Sequence, residues 1–198
     1  IETNKKGDKL FCIGISSKGY KKNFMITSKK LEHTVSCEDE EECLKKFKRE
    51  LIELDPDIIT GWNVIGFDFN FLKEKFAKHK VLFDIGRDES NAKIRIEGNF
   101  FRNSSMDIAG RLVLDRMNFI KDPFIQEAPS IKNIEFENYT LETVSRAIIG
   151  KGKIITSKNR GDEIEELYES NQQKLADYNL RDCELVYEIL EKTNMIEL

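Results

Sequence analysis

Two apolar runs, residues 9–16 (KLFCIGIS) and 22–28 (KNFMITS), flank the turn sequence SKGY, and this pairing most narrows the folds open to the chain. Strand-forming residues on both sides of a Gly-containing turn predict a β-hairpin. An isolated hairpin is marginal in water, so more strands or a helix must cover it. The next segments supply both. Residues 37–53 read as a helix with Ser36 as its N-cap, acids in the first turn, and Leu44, Phe47, Leu51 and Ile52 at helical spacing. Asp55-Pro56-Asp57 breaks that helix, residues 58–62 (IITGW) form a short buried strand, and a second helix follows over about 67–79 with Phe71, Leu72 and Phe76. A hairpin followed by helix–strand–helix predicts an α/β fold: a mixed sheet flanked by helices.

The remaining chain extends the same pattern. Residues 92–104 alternate and turn at Glu97-Gly98, as an inserted hairpin would. A strand is expected near 105–108, then a helix over GRLVLDRM, then a loop over 119–138 containing Pro123 and Pro129. Thr140 caps a helix that stops at Gly150; residues 151–161 form a polar loop, 162–170 a short helix, and 171–192 the last helix. With 198 residues and no repeat or boundary, a single domain over 1–198 is expected. Apolar residues at 39% and charged residues at 34% suit a soluble globular chain, with neither a membrane span nor a signal peptide. Cys12, Cys37, Cys43 and Cys183 are scattered, which argues against structural zinc or disulfides and fits a reducing compartment. A net charge of −4 argues mildly against duplex binding, and the paired lysines read first as solvated faces.

Two carboxylates sit where apolar side chains belong. In the last helix Leu175, Tyr178, Asp182, Leu185, Val186 and Ile189 form one stripe of 3.6-residue period, so Asp182 faces the core. Arg181 points about 100° away and is a poor partner. Asp68 lies in the apolar stretch TGWNVIGFDFNF, at the first turn of a helix that begins where a strand ends, with Asn63 able to cap the junction. Taken singly, Asp68 reads as a first-turn carboxylate stabilised by free amides, and Asp182 as a buried hydrogen-bonding acid. Taken together with Glu2 of the first strand, they make three acids able to converge at the carboxyl end of a sheet. Such a cluster needs a divalent cation, and oxygen ligands favour Mg²⁺ or Mn²⁺. Two such ions about 4 Å apart can clamp both oxygens of a phosphodiester displacement.

These residues resemble a known family. GWNVIGFD is similar to the second exonuclease motif of family B DNA polymerases, Asn-x-x-x-Phe-Asp, here Asn63, Phe67 and Asp68. YNLRD resembles the third motif, Tyr-x-x-x-Asp, here Tyr178 and Asp182, and IET resembles the end of the first, with Glu2. The likeness covers nearly the whole chain and is nearest to the bacterial polymerase II branch. It implies a ribonuclease H-like fold and 3′→5′ proofreading of single-stranded DNA, with two Mg²⁺ or Mn²⁺ ions. Glu2, Asp68 and Asp182 would hold metal, Tyr178 would orient the attacking water, and Asn63 and Phe67 would contact the 3′ end of the strand. Phe67 also reads as a core residue. The implied partner is a polymerase domain of the same chain, in a bacterial cytoplasm near the nucleoid.

One departure matters. The first motif's aspartate would stand immediately before Ile1, so the sequence as given is expected to bind metal poorly and to be nearly inactive. A non-catalytic scaffold or single-strand-binding module of the same fold is the rival reading, and an exonuclease acting on RNA a second. Asp115 is expected to be structural, Asp107 a weaker alternative ligand, and Glu142 a helix-surface acid.

Overall fold

A computed structural model describes residues 1–96, 104–154 and 159–194. In chain order the elements are β1 (Glu2–Thr3), β2 (Leu10–Ser17), β3 (Tyr20–Ile26), β4 (Thr34–Cys37), α1 (Glu40–Leu54), β5 (Ile58–Gly61), a π-helical turn (Val64–Phe69) and α2 (Asn70–Lys78). There follow β6 (Lys93–Arg95), β7 (Ser105–Asp107), β8 (Leu112–Asp115), α3 (Arg116–Lys121), α4 (Pro123–Gln126), α5 (Leu141–Ile149), α6 (Arg160–Ser170) and α7 (Gln172–Thr193). The fold is the mixed α/β type expected. The chain divides into two compact units, Ile1–Asp39 with Pro123–Leu198, and Glu40–Asp122.

The first unit is built on the sheet β1-β2-β3-β4. The expected hairpin is present, β2 pairing antiparallel with β3 around Gly19 at φ 74°. β1 pairs antiparallel with β2, and β4 parallel with β3. Helix α7 packs on β2 and β3. Gly14 permits that close approach: a Cβ there would stand 2.8 Å from Asn179 Nδ2. Asn179 in turn donates to Asn23 Oδ1 of β3 at 3.2 Å, so this buried polar pair at the seam is satisfied. Phe11, Cys12, Met25, Leu175, Ala176 and Tyr178 close the core here, and Ile164 and Leu167 bring α6 onto it. The Phe11 and Tyr168 rings stack at 3.9 Å.

The second unit contains the parallel pair β5–β8 and the antiparallel pair β6–β7. Glu40 at the start of α1 accepts from Lys75 Nζ at 2.6 Å and lies 2.8 Å from His79 Nε2, which fastens α1 to α2. Phe76 and Phe83 stack at 4.6 Å beneath them.

Three sequence expectations are corrected. Ser36 and Cys37 belong to β4, not to a helix, and α1 starts at Glu40; the Ser36 hydroxyl donates to Lys29 O at 2.7 Å. Residues 112–115 form a strand rather than a helix, because β5 offers them a parallel edge. Residues 64–69 form a π-helical turn before α2, so Asp68 is not in the first turn of that helix. β6 pairs antiparallel with β7, the strand expected near 105–108, while the turn at Glu97-Gly98 and nearly all of the second arm of the expected inserted hairpin lie outside the described residues. The last helix falls where expected, with the Asn171 side chain accepting from Lys174 N at 3.1 Å.

Candidate active site

The stripe of α7 carries Tyr178 and Asp182 to within electrostatic reach of Glu2 in β1. Leu175, Tyr178 and Leu185 are fully buried, so the 3.6-residue period holds through the carboxylate. Strand β1 delivers Glu2, buried at 5% exposure, because Glu2 is paired with Cys12 of β2. The first unit thus brings together Glu2, Tyr178 and Asp182.

Two cations enter the same space. Lys153 Nζ bonds Asp182 Oδ2 and lies 3.3 Å from the Tyr178 hydroxyl. Arg160, the first residue of α6, lies 3.4 Å from Glu2 Oε1 and 3.5 Å from Asp182 Oδ2. Its guanidinium also sits 5.4 Å from the centre of the Tyr178 ring, within cation–π range. The start of α6 is held near β1 by Lys5, whose Nζ meets Asp162 Oδ1 at 2.6 Å and whose backbone N–H donates to Glu165 at 2.9 Å. Sequence reasoning missed Lys153 and Arg160. Both come from the segment read as a polar loop, and no periodicity marks such positions.

Arg181 turns away from Asp182, as its place on the helix predicts, and pairs with Glu188 at 2.6 Å. One Asp182 oxygen, Oδ1, is buried and has no hydrogen-bond partner among the described residues. A buried acceptor left unpaired is costly, so the site favours a donor or cation at that point.

The electrostatics follow from burial. Desolvation pushes the Glu2 carboxyl above its usual value, and the Asp182 charge adds to this while Arg160 opposes it. Burial, then the charges of Glu2 and Asp182, drive the Tyr178 phenol far above its usual value. Burial pulls Arg160 down, but Glu2, Tyr178 and Asp182 together raise it above its usual value. Tyr178 therefore stays protonated and acts as a hydrogen-bonding hydroxyl, not as a base.

Asn63, Phe67 and Asp68 all lie at the π-helical turn of the second unit. Asn63 holds a left-handed backbone (φ 59°) and makes no side-chain cap bond. Its side chain leaves no room for a Cβ at Gly66, which would stand 2.6 Å from Asn63 Oδ1. Phe67 is 44% exposed, so the core reading of that ring is corrected. Asp115 ties this turn to β8: Oδ2 accepts from Ile65 N at 3.1 Å, and Oδ1 caps α3 through Met117 N at 3.1 Å. Asp107 is exposed on β7, and His79 is engaged with Glu40.

Among the described residues no three His, Cys, Asp or Glu side chains gather as a group able to hold a metal. Glu2 and Asp182 nonetheless fit part of a hard-cation donor set: two carboxylates that share the Arg160 guanidinium, with one buried oxygen of Asp182 unclaimed. Among the described residues no helix is long and apolar enough to cross a membrane.

The sequence matches known proteins over most of its length. The family described as DNA polymerase family B, exonuclease domain, matches residues 2–144. DNA polymerase II of Escherichia coli is 32% identical over 208 residues, covering 99% of this chain and 25% of that protein. A DNA polymerase of Thermococcus sp. (strain 9oN-7) is 31% identical over 169 residues, covering 83% of this chain and 20% of that protein. A DNA polymerase of Thermococcus kodakarensis is 32% identical over 152 residues, 76% of this chain and 8% of that protein. The chain spans a quarter or less of the length of these relatives.

Proposed function

Because the chain belongs to the exonuclease domains of family B DNA polymerases, we propose that it removes 3′-terminal nucleotides from single-stranded DNA as proofreading, within a longer polymerase. The observation that carries this reading is the meeting of Glu2, Tyr178 and Asp182 around a buried, unpartnered carboxylate oxygen. Glu2 and Asp182, with Asp68, would hold two Mg²⁺ or Mn²⁺ ions. When bound, such ions activate water and stabilise charge on a phosphodiester.

The protein's own residues do the rest. Tyr178 keeps its proton and orients the attacking water through its hydroxyl. Lys153 fixes that hydroxyl and screens Asp182. Arg160, its side chain 47% exposed, presents its guanidinium at the mouth, where a phosphate can take a charge-assisted bond. Asn63 and the exposed ring of Phe67 contact the strand's terminal sugar and base.

Release of mononucleotides from a single-stranded DNA in Mg²⁺, by the chain carrying an aspartate ahead of Ile1 as the family motif has it, tests the proposal. Asp182→Ala should lower the rate by more than about a hundredfold. Equal degradation by both chains would remove Asp182 from the site. A matched RNA strand in the same assay reads the substrate class.

A second reading has its own support. Lys153 and Arg160 balance Asp182 and Glu2 without any metal, as they would in a non-catalytic module that keeps the fold. Such a module gains no thermal stability from Mn²⁺, whereas a metal-holding site does.

A further inference from the structure

The first-turn acid of α5, Glu142, does not behave as a surface residue. Its Oε2 accepts the backbone N–H of Lys153 at 2.6 Å, eleven residues further along the chain. Its other oxygen, Oε1, bonds Arg146 Nε. Gly152 lies directly against this pair: a Cβ there would stand 2.7 Å from Glu142 Oε1 and 2.9 Å from Arg146 Nε. Gly150 ends α5 in the left-handed conformation (φ 70°), and its N–H donates to Arg146 O at 3.1 Å. Lys151 Nζ then anchors to Glu188 of α7 at 2.8 Å. Three successive steps of backbone, 150 to 153, are fixed by a cap, an ion pair and a close glycine contact.

The fixed end of Lys153 matters because its other end lies in the site. Its side chain is 9% exposed, with Nζ on Asp182 and 3.3 Å from the Tyr178 hydroxyl. An ammonium on a flexible four-carbon stem is placed only if its backbone is placed. Helix-dipole stabilisation and the i,i+4 pair with Arg146 account for an acid at position 142 on α5 alone. They do not account for the second oxygen reaching across to the Lys153 amide. Those contacts hold the Glu142 carboxyl below its usual value: burial opposes this, but the Lys153 amide and Arg146 outweigh it.

We propose that Glu142 is a positioning residue. It fixes the Lys153 backbone and thereby sets the ammonium between Asp182 and Tyr178. The claim rests on the exonuclease reading for its consequence, though not for its geometry.

The test uses the chain carrying an aspartate ahead of Ile1, with Glu142→Ala, Glu142→Gln, Lys153→Met and the Glu142→Ala/Lys153→Met pair. Glu142→Ala should lower kcat on single-stranded DNA by about ten- to a hundredfold with KM little changed. Glu142→Gln keeps an acceptor for the Lys153 amide and should recover most of that loss. In the Lys153→Met background, Glu142→Ala should cost no more than about twofold, since the two act as one unit. The Lys153 amide should also exchange faster with solvent in Glu142→Ala, read by NMR. The same penalty in both backgrounds, or unchanged amide protection, overturns the proposal. If no variant cleaves DNA, the exonuclease reading fails, and the exchange rate alone decides the positioning claim.

Discussion

Arg116 is 1% exposed, and none of its three guanidinium nitrogens has a hydrogen-bond partner among the described residues. Its guanidinium lies over the face of Phe119, 5.1 Å from ring centre to guanidinium carbon. Burial pulls its pKa down to about 10, so it remains charged at neutral pH. A buried, unpaired charge costs free energy that an apolar side chain of similar volume does not. Arg116→Met should therefore stabilise the protein by about 1–4 kcal/mol. A rise in the urea midpoint with an unchanged slope is the expected reading, and a lower midpoint would mean the guanidinium has a stabilising partner. Nothing in the sequence marks Arg116, which follows an apolar run and looks like a solvated first-turn residue. Asp182 was legible because period and burial act within one helix. Lys153, Arg160 and Glu142 were not, because each acquires its role from a residue more than ten positions away.

At the scale of elements, the hairpin was readable from strand-forming runs around a turn, and α7 from the stripe at helical spacing between Leu175 and Ile189. Strands β4 and β8 were not. Each has four residues, too few to establish a period; β4 pairs parallel with β3, the strand just before it, and β8 pairs parallel with β5, far back in the sequence. Asp115 is where this long-range pairing is fastened. Its carboxylate accepts from Ile65 N, Met117 N and Asn118 N, joining β8, α3 and the π-helical turn that carries Asp68. Asp115→Ala should cost about 2 kcal/mol, the loss of a helix cap plus an orphaned buried amide. Asp115→Asn keeps an acceptor and should cost less. Burial raises the Asp115 carboxyl above 3.8, with the backbone donors opposing it. A raised folded value means that this group's contribution is fully present below 3.8 and is lost as pH rises through the folded value. The wild-type protein should accordingly gain on Asp115→Asn as pH falls, and thermal melts across that range check the sign. A gap that widens in favour of asparagine on acidification would contradict the burial argument.

For the molecule as a whole, the fold class was legible while the distribution of stability was not. The sequence reads as one domain of uniform character, yet burial differs from element to element, and it is complete where α7 covers β2 and β3. There Cys12, Ile13, Phe24 and Met25 of the sheet and Leu175, Ala176 and Leu185 of α7 are at most 2% exposed. In the second unit all four residues of β5 are only partly buried, and its partner β8 exposes Leu112 at 53%. Amides open locally according to how much apolar surface covers them, so the two sets should not share one opening free energy. Native-state hydrogen exchange in rising denaturant should show β2, β3 and α7 exchanging only by global unfolding. The β5–β8 amides should exchange earlier, through a smaller opening. Convergence of all these amides on one free energy at every denaturant concentration would make the chain a single cooperative body. Early exchange confined to β5–β8 would instead place the lower stability in the strand pair that leads into the turn carrying Asn63, Phe67 and Asp68.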